Sequence, residues 1–306
     1  MRGTICDVRH RYDCPLRWAD LDLLGHVNNV KYVDYLQEAR AALLRACLRA
    51  AGVEREEGDA YVVVRHEVTF RAPLLFGPDP VAIESWVSQV RAASFTLDHE
   101  IFHEDADGER TVYLRARTVL APYTADQEQP RRLTAEERDA LAPYAEADGA
   151  PRPSTPVRVD VPRDRAVHYP VQVRFSDIDV YRHVNNVKYV EYFQEARIAL
   201  IRQLKEALRG FPRLSVVVAQ TDLEYVAPMV LRSEPYDCWS VVSGFGTRSM
   251  TIEAEITSGT GAAAEGAVLA RSRVVLVFFD TATQRSVAPP EGYREAVIEA
   301  LGARTA

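Results

Sequence analysis

Apolar residues recur at helical spacing after a pair of asparagines, as Val30, Val33, Leu36, Leu43, Leu44 and Cys47. The stripe returns later as Val187, Val190, Phe193, Leu200, Ile201, Leu204 and Leu208. Each predicts a helix of about 20 residues with one apolar face. In the first copy Asn28 or Asn29 is the expected N-cap, and Gly52 and Gly210 are the expected stops. After the first helix, segments near 60–72, 80–91, 94–104 and 110–121 are rich in Val, Ile, Thr and aromatic residues and broken by Pro, Gly and Asp. They read as strands, and their close succession implies an antiparallel sheet. Segments near 214–227, 234–245, 248–258 and 266–279 repeat the pattern. A short helix opened by a Thr134/Glu137 capping box is expected to run to about Tyr144. A second, opened by Pro289-Pro290-Glu291, should run to about Leu301.

The two stripes belong to a duplication. Arg17–Arg40 (RWADLDLLGHVNNVKYVDYLQEAR) returns as Arg174–Arg197 (RFSDIDVYRHVNNVKYVEYFQEAR), with 16 of 24 positions identical at an offset of 157 residues. Weaker matches follow downstream: Arg71-Ala72-Pro73 against Val226-Ala227-Pro228, and Arg115-Ala116-Arg117 against Arg271-Ser272-Arg273. The whole of each half is therefore duplicated. We expect domain 1 over residues 1–150, a Pro-rich linker over 151–165 and domain 2 over 166–306.

Composition narrows the class. With 306 residues, 47% hydrophobic and 26% charged, the chain reads as a soluble protein of two globular domains. No apolar run approaches the length of a membrane helix, and Met1–Tyr12 lacks a signal-peptide core. A net charge of -7 disfavours nucleic acid as a partner, because phosphate neutralisation supplies most of that affinity. Cys6, Cys14, Cys47 and Cys238 are too scattered for a zinc site or a disulfide framework. Buried free thiols in a reducing cytoplasm are expected, with no metal and no cofactor.

The repeated segment carries one polar set twice: Asp20, Asp22, His26, Asn28 and Asn29, then Asp177, Asp179, His183, Asn185 and Asn186. All fall in the turn before the long helix. The free amides and macrodipole of a helix start favour negative charge, including an acyl-transfer oxyanion. A neighbouring carboxylate can serve as general base or nucleophile. Asp and Asn are also ordinary turn residues. Retention of the full set while Gly25 and Arg182 diverged favours the chemical reading. Glu38 and Glu195, further along the helices, are expected to pair with backbone or with Arg40 and Arg197.

Asp-x-Asp followed by His-Val-Asn-Asn-Val-Lys-Tyr resembles the hotdog thioesterases, both the 4-hydroxybenzoyl-CoA thioesterase-like enzymes and the plant acyl-ACP thioesterases. The resemblance covers both halves. It implies an α+β protein of two tandem hotdog domains, each a long helix wrapped by a curved antiparallel sheet, paired within one chain as a pseudo-dimer. It further implies that Asp22 and Asp179 are the catalytic carboxylates and that the backbone amides of Asn29 and Asn186 hold the oxyanion. In the acyl-ACP type the aspartate works with an Asn two residues on, a His four residues on and a Glu on the following strand. His26 and His183 match the His. Glu224 matches the Glu, but Thr69 stands there in the first half, and Leu24 and Tyr181 replace the Asn. The simpler aspartate mechanism is therefore the better match.

The reading is an acyl-CoA thioesterase, with acyl-ACP as the other carrier and a further homo-oligomer open. A non-catalytic acyl-CoA-binding hotdog is the rival. It has little use for an acid beside an acyl carbonyl in both halves.

Overall fold

The computed structural model describes residues 9–54, 58–124, 127–146, 155–212, 214–259, 261, 266–280, 282–283 and 285–302. Cys6, Pro151 and Pro153 lie outside the described residues. The chain divides into two compact units, Met1–Thr155 (domain 1) and Pro156–Ala306 (domain 2).

Domain 1 contains β1 (His10–Cys14), α1 (Lys31–Ala50), β2 (Asp59–Phe70), β3 (Val81–Val90), β4 (Phe95–Glu104), β5 (Arg110–Thr124), β6 (Gln129–Pro130) and α2 (Ala135–Leu141). Its strands form an antiparallel sheet in the order β1-β3-β4-β5-β2, with β6 on β5. Strands alternate faces along their length. One face of this sheet brings Ile83, Ile101 and Leu114 against Tyr32, Leu36 and Ala39 of α1. The other carries the ion pairs Arg110–Glu84 (2.8 Å), Arg115–Glu100 (2.8 Å) and Arg117–Asp98 (2.7 Å). Register shifts in β2, β3 and β5 add the local twist that bends such a sheet around a helix.

Domain 2 repeats the order as β7 (Val167–Val171), α3 (Asn186–Ala207), β8 (Ser215–Tyr225), β9 (Tyr236–Phe245), β10 (Ser249–Thr257), β11 (Val268–Asp280), β12 (Arg285–Ser286) and α4 (Tyr293–Gly302). The sheet runs β7-β9-β10-β11-β8, with β12 on β11. Leu200 and Leu204 of α3 meet Ile252, Val274, Leu276 and Phe278, and α4 closes that core with Tyr293, Val297 and Leu301.

Some boundaries differ from expectation, each for a local reason. Asn28 Oδ1 accepts from Val30 N (3.2 Å) in a turn just ahead of α1, but the N-cap position falls on Val30 with no side-chain cap, and the regular helix starts only at Lys31. Asn29 contributes no cap. At the other end Gly52 takes φ +66°, and Val53 N closes onto Leu48 O (2.9 Å), the left-handed stop that glycine permits. β5 runs past 121 to Thr124 because the ladder to β6 prolongs it. α2 has the predicted reciprocal Thr134/Glu137 cap. α4 begins at Tyr293, later than Pro289, because Gly292 sits at φ +78°. Part of the expected linker belongs to domain 2. Val161 packs with Trp239 and Val241, and Asp160 N donates to Glu253 Oε2 (3.2 Å).

Candidate active site

The turn before each long helix is a tight hairpin. Leu21 bridges Val27, Asp22 N donates to His26 O (2.8 Å), and Asn28 N donates to Asp20 O (2.8 Å). Domain 2 repeats this with Ile178 and Val184, Asp179 N to His183 O (2.8 Å) and Asn185 N to Asp177 O (2.8 Å). The tip needs left-handed backbone, supplied by Gly25 at φ +77° in domain 1 and by Arg182 at φ +63° in domain 2. The loop after the next strand stitches the hairpin down, since Val27 N donates to Leu74 O and Val184 N to Met229 O, both at 2.8 Å. Asn28 and Asn185 are thus held opposite the first aspartate of each copy, and His26 and His183 opposite the second.

The two aspartates of each pair do different work. Asp20 is buried and accepts from Arg17 N (3.2 Å) and from the Tyr35 hydroxyl (2.7 Å) on α1. Asp177 matches it, accepting from Arg174 N (2.8 Å) and the Tyr192 hydroxyl (2.8 Å). Burial, then the bond to the carboxylate, drives both tyrosines' pKa values up. These aspartates fasten the hairpin to the helix. Asp22 and Asp179 are half-buried. Asp22 Oδ1 accepts from Leu24 N (2.8 Å) and His26 N (3.1 Å). Asp179 Oδ1 accepts from Tyr181 N (2.9 Å) and His183 N (3.3 Å). Among the described residues, Oδ2 of each has no hydrogen bond, and neither do the ring nitrogens of His26 and His183. One oxygen is pinned and the other is open, as a base or nucleophile requires. Among the described residues no group of three or more His, Cys, Asp or Glu could hold a metal ion.

Behind each carboxylate lies a buried tyrosine, Tyr32 or Tyr189, whose hydroxyl accepts from Leu74 N (3.3 Å) or Met229 N (2.9 Å). Around each hairpin large apolar side chains face outward: Trp18, Leu23, Leu24, Leu75 and Phe76 in domain 1, and Phe175, Val180, Val230 and Leu231 in domain 2. Such clusters on a protein surface mark places where apolar ligands or partners bind.

Two expectations fail on geometry. Glu224 does not join the hairpin residues. Its neighbour Tyr225 meets Tyr189 of α3 at 5.1 Å between ring centroids, so Glu224 points to the opposite face of the sheet, where Arg271 pairs with it (3.6 Å). Period-two alternation through Leu223, Glu224 and Tyr225 was the signal for this. Glu38 and Glu195 are exposed, while Arg40 and Arg197 are buried, so the expected glutamate–arginine pairs do not form. Missed from the sequence was Tyr225 itself, whose hydroxyl donates to Asn186 O (2.9 Å) and steadies the helix start. Phe70, its counterpart, has no hydroxyl to do so.

Two domains, each a long helix against an antiparallel sheet with this hairpin at the helix start, define a tandem hotdog protein. Residues 16–144 and 173–297 match the thioesterase-like superfamily, and the chain belongs to it. A relative, the long-chain acyl-CoA thioesterase FadM of Escherichia coli (strain K12), is 28% identical over 127 residues, 41% of this chain and 92% of FadM. The uncharacterized protein YsmA of Bacillus subtilis (strain 168) is 32% identical over 82 residues, 27% of this chain and 54% of YsmA. The match thus spans about half the length of YsmA. The 12:0-ACP thioesterase of Umbellularia californica is similar in fold, with a TM-score of 0.66 at 16% identity over 90% of this chain and 96% of that one.

Proposed function

We propose that the protein hydrolyses acyl-CoA thioesters to a free acid and CoA. The observation that carries this reading is the aspartate with one oxygen pinned by hairpin amides and one open, built twice beside a helix start and ringed by apolar side chains. In each domain Asp22 or Asp179 takes a proton from water as the water oxygen adds to the acyl carbonyl. The amides of Asn29 and Asn186 hold the oxyanion, where preorganised donors contribute most. When the carbon–sulfur bond breaks, His26 or His183 supplies the proton that the thiolate takes up. The exposed apolar rim receives the acyl chain. FadM, whose name specifies long-chain acyl-CoA, supports CoA as the carrier. Glu224 has no chemical role in this scheme.

A reducing compartment such as the cytoplasm suits the thiols. Cys14, Cys47 and Cys238 are free and buried, and burial pushes Cys14 up to about 11 and Cys47 up to about 12. Such thiols are poor nucleophiles.

The test is the double variant Asp22→Asn/Asp179→Asn in a thiol-release assay across acyl-CoA chain lengths. Turnover should fall by roughly 10² to 10⁴, the range of a lost general base, with an unchanged circular dichroism spectrum. Near-native turnover in the folded variant overturns the assignment.

A further inference from the structure

Each long helix buries an arginine against its sheet, and the two copies treat that charge differently. In domain 1, Arg40 lies among histidines. His66 and His99 are fully buried, and after burial itself the Arg40 charge is the main cause lowering their pKa values. His66 Nδ1 meets Thr118 Oγ1 at 3.1 Å, and His99 Nδ1 meets Ser85 Oγ at 2.8 Å. The neutral rings fill the space beside the guanidinium.

The strand registers give the equivalent positions in domain 2. Val68, Ala116, His99 and Ser85 stand opposite one another across β2, β5, β4 and β3. Leu223, Ser272, Ala254 and Ser240 do so across β8, β11, β10 and β9. Ala254 therefore replaces His99, and Thr221, two residues before Leu223, replaces His66. Both imidazoles are gone while the arginine is kept.

Arg197 is only 8% exposed and makes no hydrogen bond or ion pair among the described residues. Burial pulls its pKa down to about 10, so it is still a cation at neutral pH. On the strands facing α3, Thr221 Oγ1, Ser240 Oγ and Ser272 Oγ are buried with no hydrogen-bond partner among the described residues. A guanidinium more than nine-tenths buried with no protein partner among the described residues is costly, and each unsatisfied hydroxyl adds to that. A planar anion that takes two guanidinium hydrogen bonds and accepts from the hydroxyls relieves both, and carboxylate has that geometry.

We propose that Arg197, Thr221, Ser240 and Ser272 form an interior carboxylate site in domain 2 that reads the far end of the acyl group, so the enzyme prefers acyl thioesters ending in a carboxylate. The assignment rests on the thioesterase reading above. Arg197 follows the helix start at Asn186 by about 16 Å of axial rise, and helix side chains lean back toward the N terminus. A lean of about one turn leaves roughly 10 Å between the helix start and the guanidinium, which an acyl chain of about eight to ten carbons entering beside Asp179 spans.

Adipyl-, suberyl- and sebacoyl-CoA are compared with hexanoyl-, octanoyl- and decanoyl-CoA in the full chain, and free suberate and octanoate are compared by thermal shift. In the wild type at least one carboxylated substrate should exceed its alkyl match roughly tenfold in kcat/KM, and suberate should raise Tm. Arg197→Met should abolish both effects, Arg197→Lys should restore part of each, and Tm of unliganded Arg197→Met should not fall. If no thioester is hydrolysed while suberate still raises Tm in the wild type alone, the thioesterase reading fails and the carboxylate site stands. A suberate shift without substrate preference overturns the acyl-end assignment. If neither the preference nor the shift appears, the carboxylate site is overturned and Arg197 is solvated by water alone.

Discussion

The two histidines beside Arg40 make domain 1 sensitive to mild acid, and the effect can be sized. His66 and His99 are 0% and 1% exposed. Burial and then the Arg40 charge hold His99 down to about 3 and His66 in the same direction. Their folded-state pKa values lie below the unfolded value near 6.5, so the unfolded chain takes up protons first as pH falls. The stabilisation from keeping both rings neutral is complete above about pH 6.5 and is lost progressively below it, at about 1.4 kcal/mol per pH unit for each ring. Between pH 6.5 and 5 the pair accounts for roughly 4 kcal/mol, a large share of an ordinary domain's stability. Glu137, held down to about 2 by Arg131, Tyr61 and the Thr134 amide against its burial, matters only at lower pH. Urea unfolding followed by tryptophan fluorescence at pH 7, 6 and 5 measures the slope, with Trp86 reporting on domain 1. The wild type should lose stability steeply over this range, and His66→Gln/His99→Gln should lose much less. Parallel pH dependences in the two proteins would refute the assignment of buried neutral imidazoles.

Three further outcomes are expected. Tyr35→Phe and Tyr192→Phe each remove a hydroxyl from a buried aspartate. Each should cost about 2 kcal/mol in thermal unfolding and lower turnover by loosening the hairpin. Arg182→Gly should raise stability by roughly 0.5 kcal/mol, the left-handed strain relieved less glycine's extra chain entropy, as read from the urea midpoint. Glu224→Gln should leave thioester turnover within about twofold, since its carboxylate pairs with Arg271 on the far face of the sheet. A loss approaching that of Asp179→Asn would return Glu224 to the chemistry.

What could be read from the sequence, and what could not, divides along one physical line. Local periodicity and duplication are visible in one dimension, so the helices, the strands within a few residues and the repeated acid–histidine–asparagine set were legible. Which groups meet across elements was not. Asp20 and Asp22 look alike in sequence, and only the helix turn carrying Tyr35 makes the first a fastening and leaves the second open. Glu224 followed from matching a motif position, but a strand residue's neighbours depend on its face, and Tyr225 beside it claims the helix side.

Arg40 and Arg197 are the instructive case. They fall between Leu36 and Leu43, and between Phe193 and Leu200, on the very stripe that predicted the apolar helix face. A charged residue there reads naturally as a surface interruption paired with a nearby glutamate. Helix geometry argues otherwise, because a residue four past Leu36 and three before Leu43 shares their face. The charge must then be buried and accommodated by the sheet. Domain 1 accommodates it with two histidines, whereas domain 2 has threonine and alanine in their places. The histidine-to-small exchange at 221 and 254, set beside an unchanged arginine, is a difference between the copies that the strand registers place against the helix. It is also where the two domains are expected to differ most in what they bind.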